Sequence, residues 1–129
     1  GQCLETIVVK SHKGRYSFPK GKLEKGETYA EGAFREMNEE TGLVKDDVEL
    51  LRDANNNLVW LEEFSDKGNP SIIYFIGKYI KKGKHEFTLD EKELSESKWH
   101  KTDDVYNLTE LKTVRKAVLT NAIQLVGWA

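Results

Sequence analysis

The stretch GKLEKGETYAEGAFREMNEETGL, residues 21–43, decides how the rest of the chain is read. Gly21 and Gly26 lie among charged residues, a pattern that reads as an exposed loop. Thr28 precedes Glu31 by three residues, the spacing at which a helix's first residues cap one another's amides. Ala30, Ala33, Phe34 and Met37 then recur at helical spacing until Gly42 offers a left-handed stop. A loop–helix–loop is expected, with Gly32 inside the helix at some cost in stability.

On a helix turning about 100° per residue, Glu36, Glu39 and Glu40 share one arc, and the apolar residues occupy a neighbouring one. Such a helix can bury one side and bind with another. Like charges at i,i+4 disfavour the helix by a few tenths of a kcal/mol, and anions near its C-terminus oppose the macrodipole. Something cationic should offset this. Acidic runs on helices are usually solvated faces, and Lys45 or Arg35 offers a partner. A cluster of oxygen donors also suits a hard divalent cation, Mg²⁺ or Mn²⁺, better than a histidine or thiolate site would.

Working outward, residues 4–10 are rich in β-branched side chains, and Ser11-His12-Lys13-Gly14 supplies a turn before residues 15–18, so a hairpin is expected there. Residues 48–51, 58–64 and 71–80 read as strands, separated by Asn55-Asn56-Asn57 and by the turn residues 66–70. Trp99 marks a further short strand. Asn107 or Thr109 is the expected cap of a last helix running to about Val126, with Leu111, Val114, Val118, Ala122 and Leu125 on one face. Helices and hairpins in this order argue for α/β architecture, a mixed sheet between helices, in one domain over 1–129.

Composition narrows the classes. A chain of 129 residues suits one modest core, burying roughly two thirds of its unfolded surface. Its net charge of -2, from 20 basic and 22 acidic side chains, gives no global field favouring nucleic acid. Cys3 is the only cysteine, so no internal disulfide forms, and it reads as a small buried hydrophobe. The longest apolar runs, Ile7-Val8-Val9 and Ile72-Ile73-Tyr74-Phe75-Ile76, fall far short of a membrane helix, and a cytoplasmic or nuclear location is expected. His12, His85 and His100 have no metal-ligand spacing to one another and receive no role.

From Gly21 there are five residues to Glu27, seven more to Arg35, then Glu36, apolar Met37, one residue, Glu39-Glu40, one residue, Gly42 and apolar Leu43. This run resembles the signature of the Nudix hydrolases, G-x5-E-x7-R-E-U-x-E-E-x-G-U with U apolar, at every specified position. The resemblance implies an α/β/α sandwich and metal-dependent hydrolysis of a phosphoanhydride. It implies Glu36, Glu39 and Glu40 as metal ligands, with the Gly21 carbonyl adding one. Arg35 and Glu27 would support them, since an arginine fork can bridge two carboxylates. Members of the family usually carry another strand before the hairpin, which this chain would lack.

Family members often use a further glutamate a short distance before an aromatic strand residue. Glu93, six residues before Trp99, matches best, with Glu91 and Glu96 close by. Glu39, Glu40 and Glu93 are all candidates for the base, and the sequence does not choose among them. Lys20 and Lys22 flank the loop where a polyphosphate would lie. Tyr16 and Tyr74 are candidates to stack on a base, beside Trp60 and Tyr79. The Phe18-Pro19-Lys20-Gly21 entry resembles three branches: diadenosine tetraphosphate hydrolases, messenger RNA decapping enzymes and diphosphoinositol polyphosphate phosphohydrolases. The basic residues of 78–84 are too dispersed to favour RNA. A dinucleoside polyphosphate, or another nucleoside-diphosphate-linked small molecule, ranks first. Family domains that sense ligands without catalysis have lost glutamates that are all present here.

Overall fold

The computed structural model describes residues 4–127, apart from Lys22 and Asn69. The expectations for Cys3 and Lys22 therefore lie outside the described residues.

The hairpin forms as expected. β1 (Glu5–Ser11) pairs antiparallel with β2 (Tyr16–Ser17) through a turn in which Gly14 takes φ 81°. β1 also pairs along its whole length with β7 (Leu94–Lys101), from Glu5↔Lys101 to Ser11↔Leu94, giving the order β2-β1-β7. The short strand expected around Trp99 is thus a full eight-residue neighbour of β1.

Residues 71–80 were expected as one strand and form two. β5 (Pro70–Phe75) pairs with β4 (Trp60–Phe64), while β6 (Gly77–Tyr79) pairs with β3 (Val48–Leu50). The break falls at Ile76, whose carbonyl accepts from Leu51 N. Every pairing among the described residues is antiparallel.

Among the described residues three α-helices cover the strands. α1 (Tyr29–Thr41) starts at Thr28 with both capping-box bonds made, and ends at Gly42 with φ 81°. α2 (Thr102–Tyr106) follows β7 directly and was not foreseen, nor was the single 3-10 turn Lys45–Asp47. α3 spans Thr113–Val126, so neither Asn107 nor Thr109 caps it. Leu108 and Leu111 pack into the core ahead of it. The expected apolar face of α3 is also displaced. Arg115, Val118 and Leu119 are buried, whereas Val114 and Leu125 are exposed.

Adjacent Val8 and Val9 point to opposite sides of β1 and both are buried, so this sheet is covered on both faces. Val8 packs with Val105, Leu111, Val118 and Leu119 from the α2–α3 side. α1 packs against β7 and β5. No helix among the described residues is long and apolar enough to cross a membrane.

Candidate active site

Arg35 is the hub of the loop–helix–loop. Its Nε and Nη2 grip the two oxygens of Glu27 at 2.8 and 3.1 Å. Its Nη1 reaches Glu36 Oε1 at 2.7 Å, Glu39 Oε2 at 3.3 Å and Glu24 Oε1 at 3.6 Å. Helical side chains lean toward the N-terminus, which carries the guanidinium back over the loop that holds Glu27. Glu27 is itself fixed, since its Oε1 accepts from Glu24 N at 2.8 Å. These bonds hold the Glu27 carboxyl below the ordinary carboxylate range, through Arg35 first and the Glu24 amide second. Arg35 is driven correspondingly further toward its charged form.

The carboxylates of α1 diverge more than a helical projection suggests. Glu39 keeps half its side chain in solvent, beside Arg35. Glu36 is largely buried, and a Cβ at Gly21 would fall onto its carboxylate, so only glycine lets the loop backbone pass there. Glu40 is 6% exposed, with Oε2 accepting from Lys20 N at 2.6 Å. Burial raises the Glu36 carboxyl. It raises Glu40 further, to about 8, with Glu36 and Glu93 adding repulsion. Glu93, the further glutamate singled out from its spacing to Trp99, is exposed in the turn that leads into β7.

Glu93 arrives on a strap, residues 85–93, laid across the end of α1. Thr88 N and His85 Nε2 both donate to Thr41 O, at 3.3 and 2.7 Å, and Asp90 N donates to Glu39 O at 3.1 Å. These donors satisfy carbonyls that a helix end leaves bare, in a last turn with no basic side chain. A Cβ at Gly42 would collide with the Thr88 hydroxyl, so the glycine serves the strap as well as the left-handed turn. His12 Nε2, from the β1–β2 turn, donates to Glu91 O at 2.6 Å. Sequence reasoning gave His12 and His85 no role because their partners are backbone carbonyls, which leave no residue-type signal.

Other candidates lie elsewhere. Tyr74 is buried, its hydroxyl donating to Glu63 Oε1 at 3.1 Å and its ring edge-on to Phe18, so it belongs to the core. Tyr16 is half-buried on the Val8 side, where it meets the His100 ring and Lys10 Nζ. Tyr79 joins His85, Phe87 and Trp99 in an aromatic cluster adjoining the strap.

Among the described residues, no three His, Cys, Asp or Glu side chains stand together in readiness for one ion. Arg35 engages Glu36, and the Lys20 amide engages Glu40. The donor chemistry nevertheless fits a hard cation. It consists of oxygen ligands only, more carboxylates than Arg35 neutralises, and glycine where the loop backbone meets Glu36.

A model of the NUDIX domain matches residues 5–122. The chain belongs to the Nudix family. Over 55 residues it is 50% identical to the Caenorhabditis elegans "Putative nudix hydrolase 1", a match covering 40% of this chain and 15% of that protein. Among solved structures it resembles an Ap4A hydrolase binary complex of C. elegans (TM-score 0.73, 18% identity, 97% of this chain and 88% of the other). It also resembles the MutT protein of Methanosarcina mazei Go1 (TM-score 0.68, 20% identity, 93% and 83%). A NUDIX-family hydrolase of Clostridium perfringens gives a TM-score of 0.66 at 18% identity, over 95% and 89%. At these identities the structural likeness speaks for the Nudix fold.

Proposed function

We propose that this Nudix domain hydrolyses the phosphoanhydride of a nucleoside diphosphate linked to another group, with a dinucleoside polyphosphate as the preferred substrate. The observation that carries the reading is the fork of Arg35 over Glu27 and Glu36, with Glu40 seated beneath the loop and Glu93 opposite. Glu36, Glu39 and Glu40, with the Gly21 carbonyl, would hold Mg²⁺ or Mn²⁺, which when bound neutralises charge on bridging phosphates and acidifies water.

The chain's own residues supply the rest. Glu27 fixes the plane of the guanidinium, and the guanidinium fixes the Glu36 carboxylate. Lys20, whose amide binds Glu40, would meet a polyphosphate with its ammonium group. Glu39, Glu40 and Glu93 are the groups available to take a proton from attacking water. Tyr79 and Trp99, half-buried beside the strap, offer π-faces to a base. The dinucleotide preference over capped RNA rests on the basic residues of 78–84, which are too dispersed to form a track for an RNA chain.

The test is a screen of diadenosine tetraphosphate, capped RNA and a diphosphoinositol with Mg²⁺ or Mn²⁺, products resolved by chromatography. Metal-dependent cleavage fastest on the dinucleotide is expected. No cleavage of any of them overturns the enzymatic reading, and faster cleavage of cap or diphosphoinositol overturns the preference.

A further inference from the structure

Asp90 ties together three parts of the molecule. Its amide donates to the carbonyl of Glu39, within the last turn of α1. Its side-chain Oδ1 accepts from Lys92 N at 3.0 Å, closing an aspartate turn. Its carbonyl accepts from Glu93 N at 3.1 Å and from Leu94 N at 2.9 Å, and Leu94 is the buried first residue of β7. One residue thus registers the turn bearing Glu93 against the helix bearing Glu36, Glu39 and Glu40. His12 on Glu91 O and Thr88 on Thr41 O hold the strap on either side of it.

We propose that Asp90 is a positioning residue for hydrolysis, its turn setting the separation between Glu93 and the carboxylates of α1. The inference rests on the assignment of Glu93 to the active site. Asp90 is exposed, and its own carboxylate is spent on a backbone amide, so it acts through Glu93. Without the side-chain bond the strap still attaches at Asp90 N and keeps the bonds from Glu93 N and Leu94 N to Asp90 O, but the turn loses the bond that holds Lys92 N, one residue before Glu93. A displacement of about 1 Å in a catalytic group costs on the order of 100-fold in rate.

The experiment compares Asp90→Ala, Asp90→Asn, Glu93→Gln and the double variant Asp90→Ala/Glu93→Gln, with diadenosine tetraphosphate and Mg²⁺. Asp90→Ala should lower kcat by about 10- to 100-fold with KM within about twofold. Asp90→Asn, which keeps the acceptor oxygen, should stay within about threefold of the parent. In the Glu93→Gln background, Asp90→Ala should cost nothing further. An equal loss in both backgrounds, or an Asn variant as impaired as the Ala one, overturns the proposal. If Asp90→Ala does not fold, Asp90→Gln, which displaces the acceptor by one methylene, takes its place in the same cycle. A wild-type loss on Glu93→Gln without any loss on Asp90→Ala sinks the proposal and leaves the proposed function standing. If the parent chain turns over nothing, the proposed function falls. The Asp90 assignment, which rests on that reading, falls with it.

Discussion

Two arginines organise this molecule, and their surroundings differ in one respect. Arg115 on α3 is 8% exposed and bonds Glu63 Oε1 at 3.0 Å, with Glu63 4% exposed. The same oxygen accepts from Tyr74, and Arg115 Nη1 donates to Tyr16 O. Burial and the Glu63 charge hold the Tyr74 hydroxyl well above its ordinary value, in its protonated donor form. Among the described residues one cation meets one anion there, with the Tyr74 hydroxyl and the Tyr16 carbonyl completing the network. Among the described residues Arg35 instead stands within ion-pair distance of Glu24, Glu27, Glu36 and Glu39, four carboxylates to one guanidinium, with Glu40 buried close by. A balanced network holds β2, β4, β5 and α3 together. An unbalanced one is held in place by the fold while retaining a demand for positive charge.

That contrast can be broken most decisively at Arg115. Arg115→Met strands a buried carboxylate and should cost about 3–5 kcal/mol in urea unfolding, with activity per folded molecule unchanged. Adding Glu63→Gln should return most of the loss, and a double variant as unstable as the single one would show that the charge pair is not what matters. At the other network the larger effect is on rate. Glu40→Gln keeps shape and the acceptor for Lys20 N, and should lower kcat by about 100- to 1000-fold while leaving the melting temperature within a few degrees. Full turnover at saturating Mg²⁺ would remove Glu40 from the site. Arg35→Lys preserves charge but not the fork. A loss in kcat of about 10- to 100-fold, larger than any rise in KM, is expected across Mg²⁺ concentrations, and a pure KM effect would make Arg35 a substrate contact.

The smallest effect concerns acid. Glu27 has its carboxyl lowered, chiefly by Arg35, so its stabilisation is present above the ordinary carboxylate range and fades as pH falls through the lowered value. The melting-temperature gap between the parent and Glu27→Gln should narrow as pH falls from neutral through and below the ordinary carboxylate range, and a gap independent of pH would assign it to packing.

What the sequence made legible follows the range of the interactions. The loop–helix–loop of residues 21–43 was readable because its caps and its arginine fork are local: Thr28 with Glu31 and Arg35 with Glu27 are three and eight residues apart. Arg115 was hidden because the partner that permits its burial is 52 residues away, and the apolar pattern of α3 passes over it. The split of residues 71–80 at Ile76 was equally hidden, since a strand carries no mark of which neighbour it will meet. Of the strap, the spacing of Glu93 from Trp99 was readable, but the Glu39, Thr41 and His12 attachments run through backbone carbonyls and have no sequence signature.

Those attachments also make the end of α1 a reporter. The Thr88 and Asp90 amides can be shielded only while the strap lies on Thr41 and Glu39, so their exchange with deuterated water measures how often the segment lifts. Residues about fifty positions apart must meet before that shielding exists, which places it among the late events of folding rather than with the early hairpin of β1 and β2. Two protected amides, read in a single spectrum, would then count the fraction of molecules in which the strap is seated on α1.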